Sequence, residues 1–397
     1  MAIRKKADPV VTTEEIQQRV APGMRVAAAW SWRALLVAAL IAVILFVIVQ
    51  LRFVVIPVGA AILLGALLVP YAGVLQRRAR FPRWLAIVTA LVTLLAVVGG
   101  LITLIVFQVR SGLPDLQRQT MERYEELKDW LLESPLHLSE TDIENWFQGI
   151  FDAFGEDSGV LVNGALELGS DVGHVLAGIL IALFVTVFIL IDGRGMWRWV
   201  VRIFPERARA SIVGAGEAGW ITLKSFVTVQ VLVALVDAVF IGLGAWLLGV
   251  IIGTPFPLVI PIAIAVFLAS FVPVVGAVLT GALAAFIALV YLGPVPALVM
   301  LGIVIFVQQV EGHLLQPFLV GHAVKIHPVA IVLVVAIGGF LGGIAGAVFA
   351  VPVTAALNAM IGYIARGEWK TKPHPTVADV VPPTKARATR RATADGA

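Results

Sequence analysis

One stretch decides the reading of the chain: Val304-Ile305-Phe306-Val307-Gln308-Gln309-Val310-Glu311-Gly312-His313-Leu314-Leu315-Gln316-Pro317, followed after a short linker by Lys325-Ile326-His327-Pro328. It lies in the most apolar part of the sequence. From Ser225 to Ile364 the formally charged side chains are Asp237, Glu311 and Lys325 alone. Two of them belong to this stretch. A carboxylate at the centre of a bilayer costs about 2.5–3.5 kcal/mol on insertion scales, so such a residue faces a protein interior or a water-filled path. The apolar runs on either side are then read as the wall of that path.

Composition agrees. The chain has 397 residues, 60% of them apolar and only 14% charged, with a mean hydropathy of +0.98. A soluble domain cannot bury that much apolar surface, so the expected class is an all-α polytopic membrane protein. With no cysteine, there is no disulfide framework, thiol nucleophile or thiolate metal site. No Walker loop, dinucleotide fingerprint, zinc-protease helix or serine elbow is present. An enzyme is not expected, nor a cofactor, a metal or a nucleic-acid partner.

The runs fall in order. Residues 1–33 form a mixed-charge arm, expected in the cytoplasm. Residues 34–107 hold three spans, the first two joined at Arg52. Between the second and third lies Gln76–Arg83, with four arginines and no acid. A short loop this basic is cytoplasmic by the positive-inside rule. Residues 108–171 carry 14 acidic and 4 basic residues and read as an extracytoplasmic insertion. Within it, a surface helix is expected from Pro114 to Glu133. A second carries Ile143, Trp146, Phe147, Ile150, Phe151 and Phe154 along one face. That stripe docks on its own domain or on a second subunit. Residues 172–191 are the fourth span, 192–224 a basic inner loop expected to be helical, 225–364 the main membrane region, and 365–397 a basic tail read as disordered and cytoplasmic.

Two runs in the last region are irregular. Leu258–Phe271 and Ala277–Tyr291 are each shorter than the roughly 20 residues a span needs. A break at Pro273 and Gly276 fits a re-entrant or broken helix, which survives at membrane depth only where protein or water satisfies its backbone. The run after Pro328 exceeds 30 residues and contains Gly338-Gly339, Gly342-Gly343, Gly346 and Pro352, so a bend or hairpin is expected there too. Parity of the spans then gives about eight crossings.

If Val304–Gln316 is one helix, Gln309, His313 and Gln316 share a face, with Gln308 and Glu311 on the adjoining one. Pro317 ends the helix and Gly321 permits the chain to return, which can bring Lys325 toward Glu311. Either Glu311 pairs with Lys325 and only specifies packing, or Glu311 and His313 line a path and Glu311 exchanges a proton. Asp237 is a further path candidate, with Lys224 or Lys325 as its alternative structural partners.

The second half resembles the autoinducer-2 exporter family of permeases. Phe271-Val272-Pro273-Val274-Val275-Gly276 is similar to that family's IP-x-x-G segment. Gln309-Val310-Glu311 with Leu315-Gln316-Pro317 is similar to its Q-x-x-E…QP segment. Val324–Pro328, Gly342–Gly346 and Ala350–Pro352 follow in the same order. The resemblance implies an oligomeric plasma-membrane transporter, N- and C-termini inside, moving a small polar solute such as a signalling molecule. Some members look like sodium–proton antiporters, so protons or sodium are the expected coupling ions. A scaffold or receptor that binds a partner through the acidic insertion is the competing class.

Overall fold

A computed structural model describes residues 22–122, 158–256, 258–272, 275–315 and 328–380. Among these residues every regular element is helical and none is a strand. The elements are α1 (Pro22–Gln50), α2 (Arg52–Arg78), α3 (Arg83–Glu122), α4 (Ser158–Val201), α5 (Glu206–Ile252), α6 (Val259–Ala269), α7 (Val275–Leu292), α8 (Pro294–Val310), a π-helical turn (Glu311–Leu315) and α9 (Pro328–Ala365). A 3₁₀ turn (Glu368–Lys370) and α10 (Val377–Val380) follow. Among the described residues, eight helices are long and apolar enough to cross a membrane. The protein is an all-α polytopic membrane protein, as its hydropathy demands.

The chain divides into two compact units, residues 1–55 and 56–397. In the first, α1 exposes apolar side chains around its whole circumference, from Leu35 to Val49. A helix apolar on every side is stable in lipid and not in water. In the second, the densest core lies among α5, α6, α7 and α8. Ile241 and Ala245 of α5 meet Ile262 and Val266 of α6, Ala284 and Ile287 of α7, and Met300 and Val304 of α8.

Both irregular runs are broken, for different local reasons. α6 has 11 residues, about 16 Å of helix at 1.5 Å per residue, half of a hydrocarbon core roughly 30 Å thick. It stops at Ala269, and α7 starts at Val275 with Gly276 pressed on the Ala269 carbonyl. A Cβ at Gly276 would lie 1.9 Å from that oxygen, so only glycine admits the approach. Pro273 lies outside the described residues. In α9 the helix breaks at Gly342 and at Gly343, whose φ is 61° and ψ −147°. The chain folds back there: Val335 packs with Ala347 and Val351, and Ile331 with the same cluster. The expected bend is thus a helical hairpin with a first arm of 14 residues. Pro328 opens it at the first helical position, where a missing N–H is harmless.

Three boundaries differ from the sequence reading. α3 runs on past Pro114 to Glu122, where a separate surface helix was expected to begin. Residues 206–224 are the first part of α5, a single helix of 47 residues. Within 192–224 only the break at Asp192, φ −151° and ψ 54°, interrupts helicity inside α4. Finally, residues 366–380 are folded, not disordered. Tyr363, 1% exposed, packs with Ala215 and Ala218 of α5 and with Trp369 and Val380. Its hydroxyl donates to the Lys372 carbonyl at 2.6 Å, and His374 meets Glu217 of α5 at 3.1 Å. The expected Ile143–Phe154 helix lies outside the described residues.

Lys372 Nζ reaches Asp379 at 2.5 Å, and the Thr376 hydroxyl and N–H donate to the same carboxylate. These donors, Lys372 first, hold Asp379 below the usual carboxylate range. The same bond holds Lys372 above the usual ammonium range. Asp379 therefore contributes above its unfolded pKa of about 3.9 and stops doing so as pH falls through its lower folded value. Lys372 contributes fully below about 10.4 and stops as pH rises through its higher folded value. Asp379→Asn should speed amide exchange in 366–380 several-fold at neutral pH while leaving α5 protected. Equal exchange in both proteins would show that the pair does not hold the segment.

Candidate functional site

Asp237 sits in the middle of α5 and is 2% exposed. The apolar sequence around it makes α5 a buried helix, so its carboxylate is carried into the core. Among the described residues, the buried side-chain polar atoms without a hydrogen-bond partner are Asp237 Oδ1 and Trp197 Nε1. The other oxygen, Asp237 Oδ2, lies 3.4 Å from Ser270 Oγ. That hydroxyl has one proton and a nearer acceptor, the Val266 carbonyl at 2.8 Å. Its bond to Asp237 is therefore the weaker of the two.

Ser270 is the first residue past α6, at the edge of the break. The chain is held there by Gln230, whose side-chain amide donates to the Ser270 carbonyl at 2.7 Å. Gln230 precedes Asp237 by seven residues, two turns of the same helix, so both face the α6 end. Neither Gln230 nor Ser270 was singled out from the sequence. Both are uncharged polar residues in apolar runs, and that was their available signal.

Glu311 joins this group from α8. It caps α8 and opens the π-helical turn, and it is half-buried. The turn packs against α5, the helix that carries Asp237. The local cause is in the sequence: Gly312 weakens the helix, and Pro317 supplies no N–H to the His313 carbonyl four residues earlier. Single π turns occur frequently at functional sites.

The predicted constellation therefore divides. Asp237 and Glu311, 74 positions apart in the chain, lie on elements that pack against each other, α5 and the π-helical turn. Gln308 is half-buried on the inner side of α8, with Val304 and Val307 fully buried beside it. Gln309 and His313 are exposed, and His313 Nδ1 lies 3.1 Å from the Gln309 carbonyl. They form the other side of the helix, away from the carboxylates. Lys224 is not the partner of Asp237: 13 residues along one helix separate them by about 20 Å. Gln316, Pro317, Gly321 and Lys325 lie outside the described residues.

A buried carboxylate needs hydrogen bonds or a countercharge when ionised. Asp237 has one weak donor, the Ser270 hydroxyl. The arrangement is suited to take up a proton, a cation or a hydrogen-bonding solute at Oδ1. No group of three or more histidine or acidic side chains suited to a metal occurs among the described residues.

Known proteins share this framework. The profile described as AI-2E family transporter matches residues 35–366. MT0215 of Mycobacterium tuberculosis is 37% identical over 361 residues, which cover 91% of this chain and 95% of that protein. YueF of Bacillus subtilis is 28% identical over 283 residues, 68% of this chain and 72% of its own. YhhT of Escherichia coli K12 is 24% identical over 273 residues, again 68% and 72%. Each of the three is named as a candidate transport protein. The match over the membrane-spanning helices and the broken elements between them assigns this multi-pass membrane protein to the AI-2E transporter family.

Proposed function

We propose that the protein is a proton-coupled secondary transporter that moves a small polar solute across the bacterial plasma membrane. The observation that carries this reading is the unpartnered Asp237 Oδ1, buried beside the α6 break, with Glu311 on the turn that packs against α5. An ionisable group at membrane depth marks a substrate or proton path by default. Irregular backbone at that depth, as between α6 and α7, lines a cavity in the proteins that tolerate it. Asp237 and Glu311 bind and release the proton in this reading, and Ser270 and Gln308 offer hydrogen bonds to the solute. Gln309, His313, Gln316 and Lys325 are further candidates for the path in this reading. The chain performs no covalent chemistry. The oxygen set of Asp237, Ser270 and Glu311 also suits a hard cation, which favours cation–proton exchange as the second reading. A second copy of the chain is the expected protein partner in this reading.

Purified protein in proteoliposomes tests both readings. Solute uptake is measured across a panel under an imposed pH gradient, and sodium and potassium flux are measured separately. Glu311→Gln keeps size and hydrogen bonding but removes the titrating charge. The variant should assemble normally and lose the pH dependence of flux. A stable Glu311→Gln protein with wild-type flux at every pH would remove Glu311 from the mechanism. Flux of no solute and no ion in the wild type would favour the scaffold class.

The orientation in this reading places 76–83, 192–224 and both termini in the cytoplasm and 108–171 outside. The cysteine-free chain accepts single cysteines at Asn145 and Arg80. In intact cells an impermeant maleimide should label the first and not the second. The reverse pattern inverts the topology.

A further inference from the structure

The segment after the Asp192 break has three distinct sides. Asp192 Oδ1 accepts the Gly195 N–H at 3.0 Å and so starts a new helical stretch, 193–201, at the end of the fourth span. Trp197, Val200 and Val201 form one side, turned toward the protein, with Val201 2% exposed. Arg194, Arg198 and Arg202 follow at intervals of four and form a second side, fully exposed. Trp199 and Ile203 lie on the third, and they are 68% and 76% exposed.

Among the described residues, Arg194, Arg198 and Arg202 form no ion pair. Arg209 is occupied otherwise: it donates to the Phe204 carbonyl at 3.0 Å and the Arg202 carbonyl at 3.2 Å, and meets Glu206 at 3.5 Å. Arg83, at the start of α3, donates to the Ile191 carbonyl and adds a further cation beside the break. Three arginines on one exposed side favour an anion among them. A soluble anion leaves Trp199 and Ile203 bare in water. A bilayer interface accommodates both: arginines at headgroup depth, tryptophan and isoleucine against the acyl chains.

We propose that 193–203 is a binding surface for anionic phospholipid. The headgroup phosphates meet Arg194, Arg198 and Arg202, and the upper acyl chain covers Trp199 and Ile203. The surface is separate from the Asp237 site, and the inference does not depend on what is transported.

The full-length protein in detergent is mixed with phosphatidylglycerol, phosphatidylcholine or inorganic phosphate, and bound lipid is counted by native mass spectrometry. The wild type should retain phosphatidylglycerol in preference to phosphatidylcholine, and excess inorganic phosphate should not displace it. Each arginine replaced by glutamine should reduce that preference roughly fivefold, so R194Q/R198Q/R202Q should abolish it. W199S/I203S should weaken retention of both lipids. Equal retention of the two lipids by wild type overturns the proposal. So does an unchanged preference in the triple variant, or in R198Q alone should the triple variant not assemble. Displacement by inorganic phosphate would make this a soluble-anion site and would also overturn it.

Discussion

Asp237→Asn abolishes flux in proteoliposomes and leaves the melting midpoint unchanged or higher: this is the expected result for a carboxylate kept for function. Asparagine fills the same space and still accepts from Ser270 Oγ, but it cannot ionise. The contact at stake is a weak one, at 3.4 Å, so little stability rides on it. Asp237→Leu extends the argument. Removing a buried acceptor that lacks a partner relieves about 1–3 kcal/mol, and leucine matches the apolar neighbours Val233 and Ile241 on the same helix. That variant should melt higher than wild type and carry nothing. Stability below wild type in both variants would mean Asp237 serves the fold through a contact of the ionised group. Wild-type flux in Asp237→Asn at every pH would remove the residue from the path. Solute flux and a thermal melt on the same preparations separate the outcomes.

How much of this was legible beforehand follows from the range of each interaction. The spans are local quantities, a count of apolar residues against the bilayer thickness, and hydropathy returned them. The breaks were legible for the same reason. Gly276 stands just beyond the end of a run too short to cross, and Gly342-Gly343 interrupt a run too long to be one straight span. The packing of the Glu311 turn on the helix of Asp237 is of another kind. It depends on how α8 packs on α5, and no periodicity within either helix encodes that. The helix-face argument for α8 did hold where it was local, since His313 lies over the Gln309 carbonyl. It could not say which side faced α5.

The folded stretch 366–380 was missed because its composition misleads. It is basic and rich in proline, which usually means too little apolar surface to order a chain. Its order comes instead from a few long-range contacts. Tyr363 inserts beside Gly214 and Ala215 of α5, Trp369 covers it, and Glu217 receives His374. The length of α5 hid this too. A helical inner segment is expected at 206–224, but nothing local joins it to the fifth span as one continuous helix on which the tail can dock.

The hairpin in α9 yields the other large effect. In a continuous helix Gly338 and Gly346 would be about 12 Å apart, eight residues at 1.5 Å each. Folded back at Gly343, they touch: a Cβ at Gly346 would lie 2.0 Å from the Gly338 carbonyl oxygen. Backbone on both sides cannot move aside without separating the arms. Gly346→Ala should therefore destabilise by about 1–3 kcal/mol, the range for overpacking a close contact. Gly343→Ala should cost a similar amount, about 1–3 kcal/mol, for a different reason: its φ of 61° with ψ of −147° falls where almost only glycine is found. Gly339→Ala is the control. Its nearest neighbour would be Ala347 Cβ at 3.9 Å, ordinary contact, and alanine favours helix over glycine by about 1 kcal/mol. The control should melt at or above the wild-type midpoint. The two destabilised variants should also open the arms, so that cysteines at Val335 and Ala347 cross-link less than in the wild-type background. If Gly346→Ala and Gly339→Ala melt together and cross-link alike, α9 is a continuous helix in the membrane, and an additional full crossing replaces the hairpin.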